Sequence, residues 1–174
     1  MYLDSFETDR LELRATTQDD ADFLYQLLNS PSWLKYIGDR KIYSTAHAEA
    51  YINTRITPQF KRLGFGNYTI TRKSDGVKMG SCGLYDREGL STIDIGYALL
   101  PEYAKNGYAF EAALKLKEMA FSTFELEKLC AITSKDNIAS QKLLSKLGLE
   151  SKETITLPGD TIELMLYTIN KTNS

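Results

Sequence analysis

Ile93-Asp94-Ile95-Gly96-Tyr97-Ala98-Leu99-Leu100-Pro101-Glu102-Tyr103-Ala104-Lys105-Asn106-Gly107-Tyr108-Ala109-Phe110-Glu111-Ala112 is the stretch that decides the fold. Its first half alternates as a strand does, from Thr92 to Leu100, and stops at Pro101. Its second half opens on a single glycine and predicts a helix from Gly107 to about Phe124. The first turn of a helix carries unpaired N–H groups and the positive end of the helix dipole. A loop that delivers several such groups makes a cradle for phosphate oxygens, and small residues at Gly107 and Ala109 let a diphosphate approach the backbone. An ordinary strand-to-helix turn has the same spacing, because a lone glycine is common in such turns.

Working outward, Leu11 to Ala15 alternates as a short strand. Thr16 to Asp20 supplies capping oxygens for a helix through Leu28, which Pro31 is expected to end. A second helix is predicted from Ser44 or Thr45 to about Arg62, closed by Gly64. Strands at Gly66 to Arg72 and Val77 to Tyr85 flank the turn signal Ser74-Asp75-Gly76. Beyond the deciding stretch come a strand at Lys128 to Thr133 and a helix from Asn137 to Leu147 with Gly148 at its C′ position. Two last strands, Leu149 to Leu157 and Thr161 to Ile169, meet at Pro158-Gly159-Asp160. The order β-α-α-β-β-β-α-β-α-β-β predicts an α/β (α+β) fold, a mixed central sheet with flanking helices.

Composition narrows the function classes. With 174 residues and 43% hydrophobic content, the chain reads as a single domain spanning 1–174. Twenty-one Lys and Arg against 23 Asp and Glu give a net charge of −2, so no nucleic-acid partner is expected. The start Met1-Tyr2-Leu3-Asp4-Ser5 has no secretory pattern, and no apolar run is long enough to span a bilayer, so no membrane association is expected. Cys82 and Cys130 sit in separate apolar stretches and read as buried thiols in a cytoplasmic protein. Gly64-Phe65-Gly66-Asn67-Tyr68-Thr69 begins like a dinucleotide motif but runs from helix to strand, the reverse of what that motif needs. No phosphate-binding GxxxxGK[ST] loop exists. One histidine, His47, and two distant cysteines offer no metal-ligand spacing, so no metal is expected.

The segment Ala104-Lys105-Asn106-Gly107-Tyr108-Ala109 resembles the cofactor motif [Q/R]xxGx[G/A] of the GNAT superfamily, the acetyl-CoA-dependent N-acetyltransferases. Glu7-Thr8-Asp9-Arg10-Leu11-Glu12-Leu13-Arg14 resembles the opening of the branch that includes the ribosomal-protein N-terminal (alanine/serine) acetyltransferases. Asp94-Ile95-Gly96-Tyr97, Pro101-Glu102, Gly107-Tyr108-Ala109, Glu111-Ala112, Asn137-Ile138-Ala139-Ser140 and Lys146-Leu147-Gly148 follow in that branch's order. The match runs from residue 7 to about 150. Ala104 departs from the usual Gln, Arg or Trp, and Lys105 stands where glycine is common.

The resemblance implies acetyl transfer from acetyl-CoA to a primary amine, either a protein N-terminus or a small amine such as a polyamine, amino acid or antibiotic. A non-catalytic CoA-binding module is the reading from another class. A homodimer is common among relatives, although no sequence feature here demands one. By the same resemblance, the diphosphate lies on the amides of Lys105, Asn106, Gly107, Tyr108, Ala109 and Phe110. The pantetheine arm pairs with the strand near Leu99, whose N–H stabilises the oxyanion, and Asn137 bonds the arm. Ser140 then protonates the departing sulfur, or else is a small helix-packing hydroxyl.

Two carboxylates compete for the role of base. Glu111 lies on a polar face with Lys115, Glu118, Ser122 and Glu125, so it is expected to face solvent and pair with Lys115. Asp94 alternates with Gly96 and Ala98, small residues expected to leave a groove beside it; a solvated or ion-paired Asp94 is the alternative. Deprotonating a lysine-like amine at pH 7 costs about 4.6 kcal/mol, but an α-amine only about 1.4 kcal/mol. A modest base therefore favours an N-terminal amine. Trp33-Leu34-Lys35-Tyr36 is expected either to line the acceptor pocket or to pack in the core.

Overall fold

The computed structural model describes residues 3–172, so the reading at Met1-Tyr2 lies outside the described residues. The strands are β1 (Ser5–Glu7), β2 (Leu11–Ala15), β3 (Asn67–Arg72), β4 (Lys78–Tyr85), β5 (Asp94–Leu99), β6 (Lys128–Thr133), β7 (Glu150–Thr156) and β8 (Glu163–Asn170). They form one 8-stranded sheet in the order β1-β2-β3-β4-β5-β6-β8-β7. Every pairing is antiparallel except that of β5 with β6. The helices are α1 (Ala21–Leu28), α2 (Pro31–Tyr36), α3 (Thr45–Tyr51), α4 (Thr57–Leu63), α5 (Tyr108–Ser122) and α6 (Ile138–Lys146). A π turn at Ile52–Ile56 joins α3 to α4, and Gly64 closes the run at φ 79°. The α/β fold with a mixed sheet is therefore the one expected. Among the described residues, no helix is long and apolar enough to cross a membrane.

Two elements differ from the sequence reading. Pro31 does not simply end a helix: it occupies the first turn of α2 behind Ser30, where a missing N–H costs nothing. The edge strand β1, three residues long, is too short to show a period.

Strand register assigns every side chain to a face. On one face, Leu13, Ile70, Leu84 and Ile95 meet Ala112, Ala113 and Leu116 of α5 in the main core. The small residues of α5 let the helix axis come close to β4 and β5, against which it packs. Burying Leu116, which is 0% exposed, contributes about 1.5–3 kcal/mol. A second apolar cluster forms where α1 packs on α3, around Leu24, Leu28, Ala48 and Ile52. Cys82 and Cys130 are both buried free thiols, as expected.

The sheet is irregular at one place that matters for the site. β3 and β4 slip register between Ile70 and Thr71, leaving Met79 as an extra residue. The next residue, Gly80, faces Leu99 of β5, and a Cβ there would collide with the Ala98 carbonyl oxygen and Leu99 Cα. Only glycine lets the strands approach this closely. Gly80→Ala is therefore expected to lower stability by about 1–3 kcal/mol in denaturant titration.

Candidate active site

β5 and β6 share a single registered pair, Asp94 with Cys130, held by the Cys130 N–H on the Ile93 carbonyl at 2.9 Å. Beyond that pair the two strands diverge. Leu100 N–H donates to Met79 on the β4 side at 2.8 Å, and successive amides of a strand point to opposite sides. The Leu99 amide consequently points into the gap between β5 and β6. Alternation also places Asp94, Gly96 and Ala98 on one face, with Ile95, Tyr97 and Leu99 on the face that carries α5.

On the α5 face, the gap is bordered by Tyr97 and the start of α6. Asn137 caps α6, its Oδ1 accepting the Ser140 N–H at 3.2 Å. That occupies the amide oxygen and leaves the Asn137 NH₂ as a donor. The Tyr97 hydroxyl lies 3.2 Å from Ser140 Oγ and 3.2 Å from the Ser140 carbonyl oxygen. Burial pushes the Tyr97 phenol up to about 12 against the lowering effect of the Ser140 bond, so it keeps its proton and can donate. Ser140 thus has a hydroxyl partner that sequence spacing did not reveal.

On the other face, Asp94 is 2% exposed and pairs with Arg87, Nε to Oδ2 at 3.0 Å. The expected open groove beside Asp94 is absent. The Tyr85 ring lies over Gly83 and Gly96, only 3.0 Å from where a Gly96 Cβ would stand. Glycine at facing positions made room for an aromatic ring rather than for solvent, and the ion-paired alternative holds. Burial raises the Asp94 carboxyl from 3.8 to about 6, with Arg87 opposing it through charge and hydrogen bonding. Tyr85 in turn donates to Asn67 Oδ1 at 2.5 Å, Asn67 donates to Thr16 Oγ1 at 2.8 Å, and Thr16 meets Thr69 at 2.9 Å. Five strand positions separate Asp94 from Leu99, roughly 16 Å along β5.

The loop before α5 is the third part. Lys105 has φ 64° and Gly107 φ 79°, both left-handed. Glycine is cheap in that conformation and lysine is not, which accounts physically for the glycine common at position 105 in the motif. Left-handed residues on either side of Asn106 give the alternating backbone from which anion nests are built. Lys105 and Asn106 are exposed, while Tyr108, Ala109 and Phe110 are half-buried. The geometry and donor set of the 105–110 backbone therefore fit a diphosphate.

Glu111 departs from its expected place. It does not pair with Lys115 in solvent; its Oε1 accepts from Thr8 Oγ1 at 2.6 Å and the Arg10 N–H at 3.0 Å, and its Oε2 from Arg10 Nε at 2.7 Å. Burial opposes ionisation of Glu111, but the Thr8 and Arg10 bonds outweigh it and hold the carboxyl below its ordinary value. Helical period shows which residues share a face; it does not show which distant strand arrives there. Trp33 and Tyr36 are half-buried and Leu34 and Lys35 exposed, with Trp33 packed against the α1–α3 cluster, which favours the packing alternative for Trp33.

The Asp94 pair makes a pH prediction. The native state holds the Asp94 proton more tightly than the unfolded chain, so this group's contribution to stability falls as pH rises from about 4 to about 6 and is flat above. Asp94→Asn removes that dependence. Relative to wild type, the variant should gain up to about 3 kcal/mol across this window in denaturant titrations at a series of pH values.

Comparison with known proteins agrees with the geometry. The family profile described as an acetyltransferase (GNAT) domain matches residues 10–150. The uncharacterized N-acetyltransferase YoaA of Bacillus subtilis (strain 168) is 29% identical over 147 residues, covering 84% of this chain and 82% of its own. The ribosomal-protein-S5-alanine acetyltransferase of Vibrio fischeri superposes with a TM-score of 0.78 at 15% identity, covering 95% of this chain and 96% of its own. A spermidine N-acetyltransferase chimera from Vibrio cholerae and hSSAT gives 0.75 at 16% identity, covering 93% and 96%. At such identities the two structures speak for the fold alone. The profile covers most of the chain, and so the protein with the split β5–β6 pair belongs to the GNAT family, as an acetyl-CoA-dependent N-acetyltransferase.

Proposed function

We propose that the chain acts as one catalytic domain in the cytoplasm, acetylating the α-amine of a protein N-terminus. The observation that carries this reading is the buried Asp94–Arg87 pair beside the β5–β6 gap, with its carboxyl at about 6. Such a base lies about 2 units below an α-ammonium near pKa 8, a gap of about 3 kcal/mol. For a lysine-like or polyamine nitrogen the gap is about 6 kcal/mol. The weaker amine is the better match. At neutral pH Asp94 is ionised and able to accept a proton, but it is too far along β5 to touch an amine at Leu99. It therefore takes the proton through a relay along the β5–β6 gap rather than by direct contact.

Acetyl-CoA supplies the activated acyl group. The amides of Lys105 to Phe110 hold its diphosphate, the Asn137 NH₂ and the free edge of β5 orient its pantetheine arm, and the Leu99 N–H faces the thioester oxygen. Ser140 gives a proton to the leaving sulfur and recovers one through its hydrogen bond with the Tyr97 phenol, which is reprotonated from solvent as CoA leaves. Base and acid stand on opposite faces of the sheet. The gap between β5 and β6 is the passage that connects them, and it lets the amine arrive from one side and the donor from the other. The small-amine reading keeps the same machinery with a stronger base requirement.

Thiol release from acetyl-CoA tests the proposal, measured with short peptides bearing free N-termini, N-blocked peptides bearing one lysine, and spermidine. The proposal predicts turnover on the first class above the other two. Turnover confined to spermidine would move the acceptor to small amines, and cofactor binding without any turnover would leave a CoA-binding module. With an active acceptor, Ser140→Ala should lower kcat by about 100-fold or more. Tyr97→Phe should lower kcat by a smaller factor while leaving the KM for the amine unchanged. Full activity in both variants would remove the proton relay.

A further inference from the structure

The segment Thr8-Asp9-Arg10 has no part in the mechanism above, yet it makes the longest-range set of bonds around the phosphate loop. Arg10 reaches positions on both sides of Gly107. Its Nε donates to Glu111 Oε2 at 2.7 Å, and its Nη1 donates to the Asn106 carbonyl at 3.1 Å. Its guanidinium lies 4.4 Å from the centre of the Tyr108 ring, and its Nη2 would stand 3.4 Å from a Cβ at Gly107. Thr8 and the Arg10 backbone occupy the other oxygen of Glu111 at 2.6 and 3.0 Å. On the far side of Tyr108, Arg72 Nη1 lies 3.5 Å from the Tyr108 hydroxyl and is itself paired with Asp75.

We propose that Arg10 is a positioning residue for cofactor binding: its fork ties the Asn106 carbonyl to Glu111 of α5 and so fixes the peptide planes that aim the 105–110 amides. This rests on the reading of that loop as the diphosphate cradle. A bond to the Asn106 carbonyl fixes the peptide whose N–H belongs to Gly107. A bond to Glu111 fixes the first turn from which the next amides project. One planar side chain thus sets the angle between loop and helix. The left-handed Lys105 is a strained neighbour that the loop must hold without the glycine common there. The fork supplies the missing rigidity from 96 residues away in sequence. Charge alone does not suffice for this: lysine has the cation but not the two divergent donors in one plane. The guanidinium is also largely neutralised by Glu111, so its role is geometric.

The test uses the whole protein with Arg10→Ala, Arg10→Lys and Glu111→Gln, and reads the calorimetric Kd for CoA beside steady-state kinetics. A thermal melt of each variant confirms folding. The proposal predicts that both Arg10 variants weaken CoA binding by about tenfold or more and raise the KM for acetyl-CoA by a similar factor, the loss expected for charge-assisted bonds in a bidentate fork. It predicts that kcat and the amine KM change by less than about threefold. Glu111→Gln, which keeps the shape of the side chain, should weaken CoA binding by a smaller factor. Wild-type affinity in Arg10→Ala would overturn the proposal, and so would full rescue by Arg10→Lys, since a mere cation would then do. If Arg10→Ala does not fold, Arg10→Lys and Glu111→Gln decide in the same way. Failure of the wild-type protein to bind CoA would instead bring down the cradle reading itself, and the clamp with it.

Discussion

The architecture depends on the early end of one ladder. Parallel β5 and β6 share the Asp94–Cys130 pair and then separate. Closing them fully would satisfy more backbone groups but leave no opening in the middle of the sheet. The opening persists because each strand is held by its other neighbour. β5 is registered along its whole length with β4, and β6 along its whole length with β8. The gap is therefore a property of two well-made hairpin-like pairs that meet at one point. A strand edge left unpaired inside a sheet exposes amides that a ligand can use.

The groups around the gap are ordered by burial and hydrogen bonding rather than by charge. Tyr97 and Ser140 form a neutral pair on the α5 face, and Asp94 with Arg87 an ionic pair on the other. A buried ion pair is a poor source of stability, because desolvation offsets most of the attraction. What it provides here is a carboxyl held near neutrality in a fixed place. Asp20 shows the contrast. It is 0% exposed, yet bonds from Lys78, Thr17 and Arg14 outweigh its burial and hold it below the ordinary carboxylate value. At Asp20 the donors outweigh burial and make it a structural anion, whereas at Asp94 burial outweighs Arg87 and the Ile132 backbone and raises the carboxyl.

How far the sequence was legible follows the range of the interactions involved. β6 was read at Lys128 to Thr133, where it lies, and the left-handed Gly64 closes the helical run it was expected to close. The strand–loop–helix at 93–112 was also legible, because glycine, proline and alternation act over a few residues. Arg10 was not. Its partner Glu111 is 101 residues distant, and nothing in helical periodicity distinguishes a solvent-facing carboxylate from one that awaits a strand. Tyr85 was missed for a related reason. Glycines 83 and 96 become one space only when β4 and β5 pair in register, and the tyrosine fills it. The left-handed φ of Lys105 is opposite to what its residue type favours, so only the motif hinted at it.

The central claim is that backbone amides at 105–110, not a cluster of cations, hold the cofactor, in a chain whose net charge is −2. A titration of CoA into isotope-labelled protein, followed by amide NMR, tests this most directly. The account predicts saturable shifts that are largest at the amides of Lys105 to Phe110 and Leu99, with the Asn137 side-chain NH₂ moving at the same midpoint. Saturable shifts centred elsewhere, with the 105–110 amides unmoved, would contradict it.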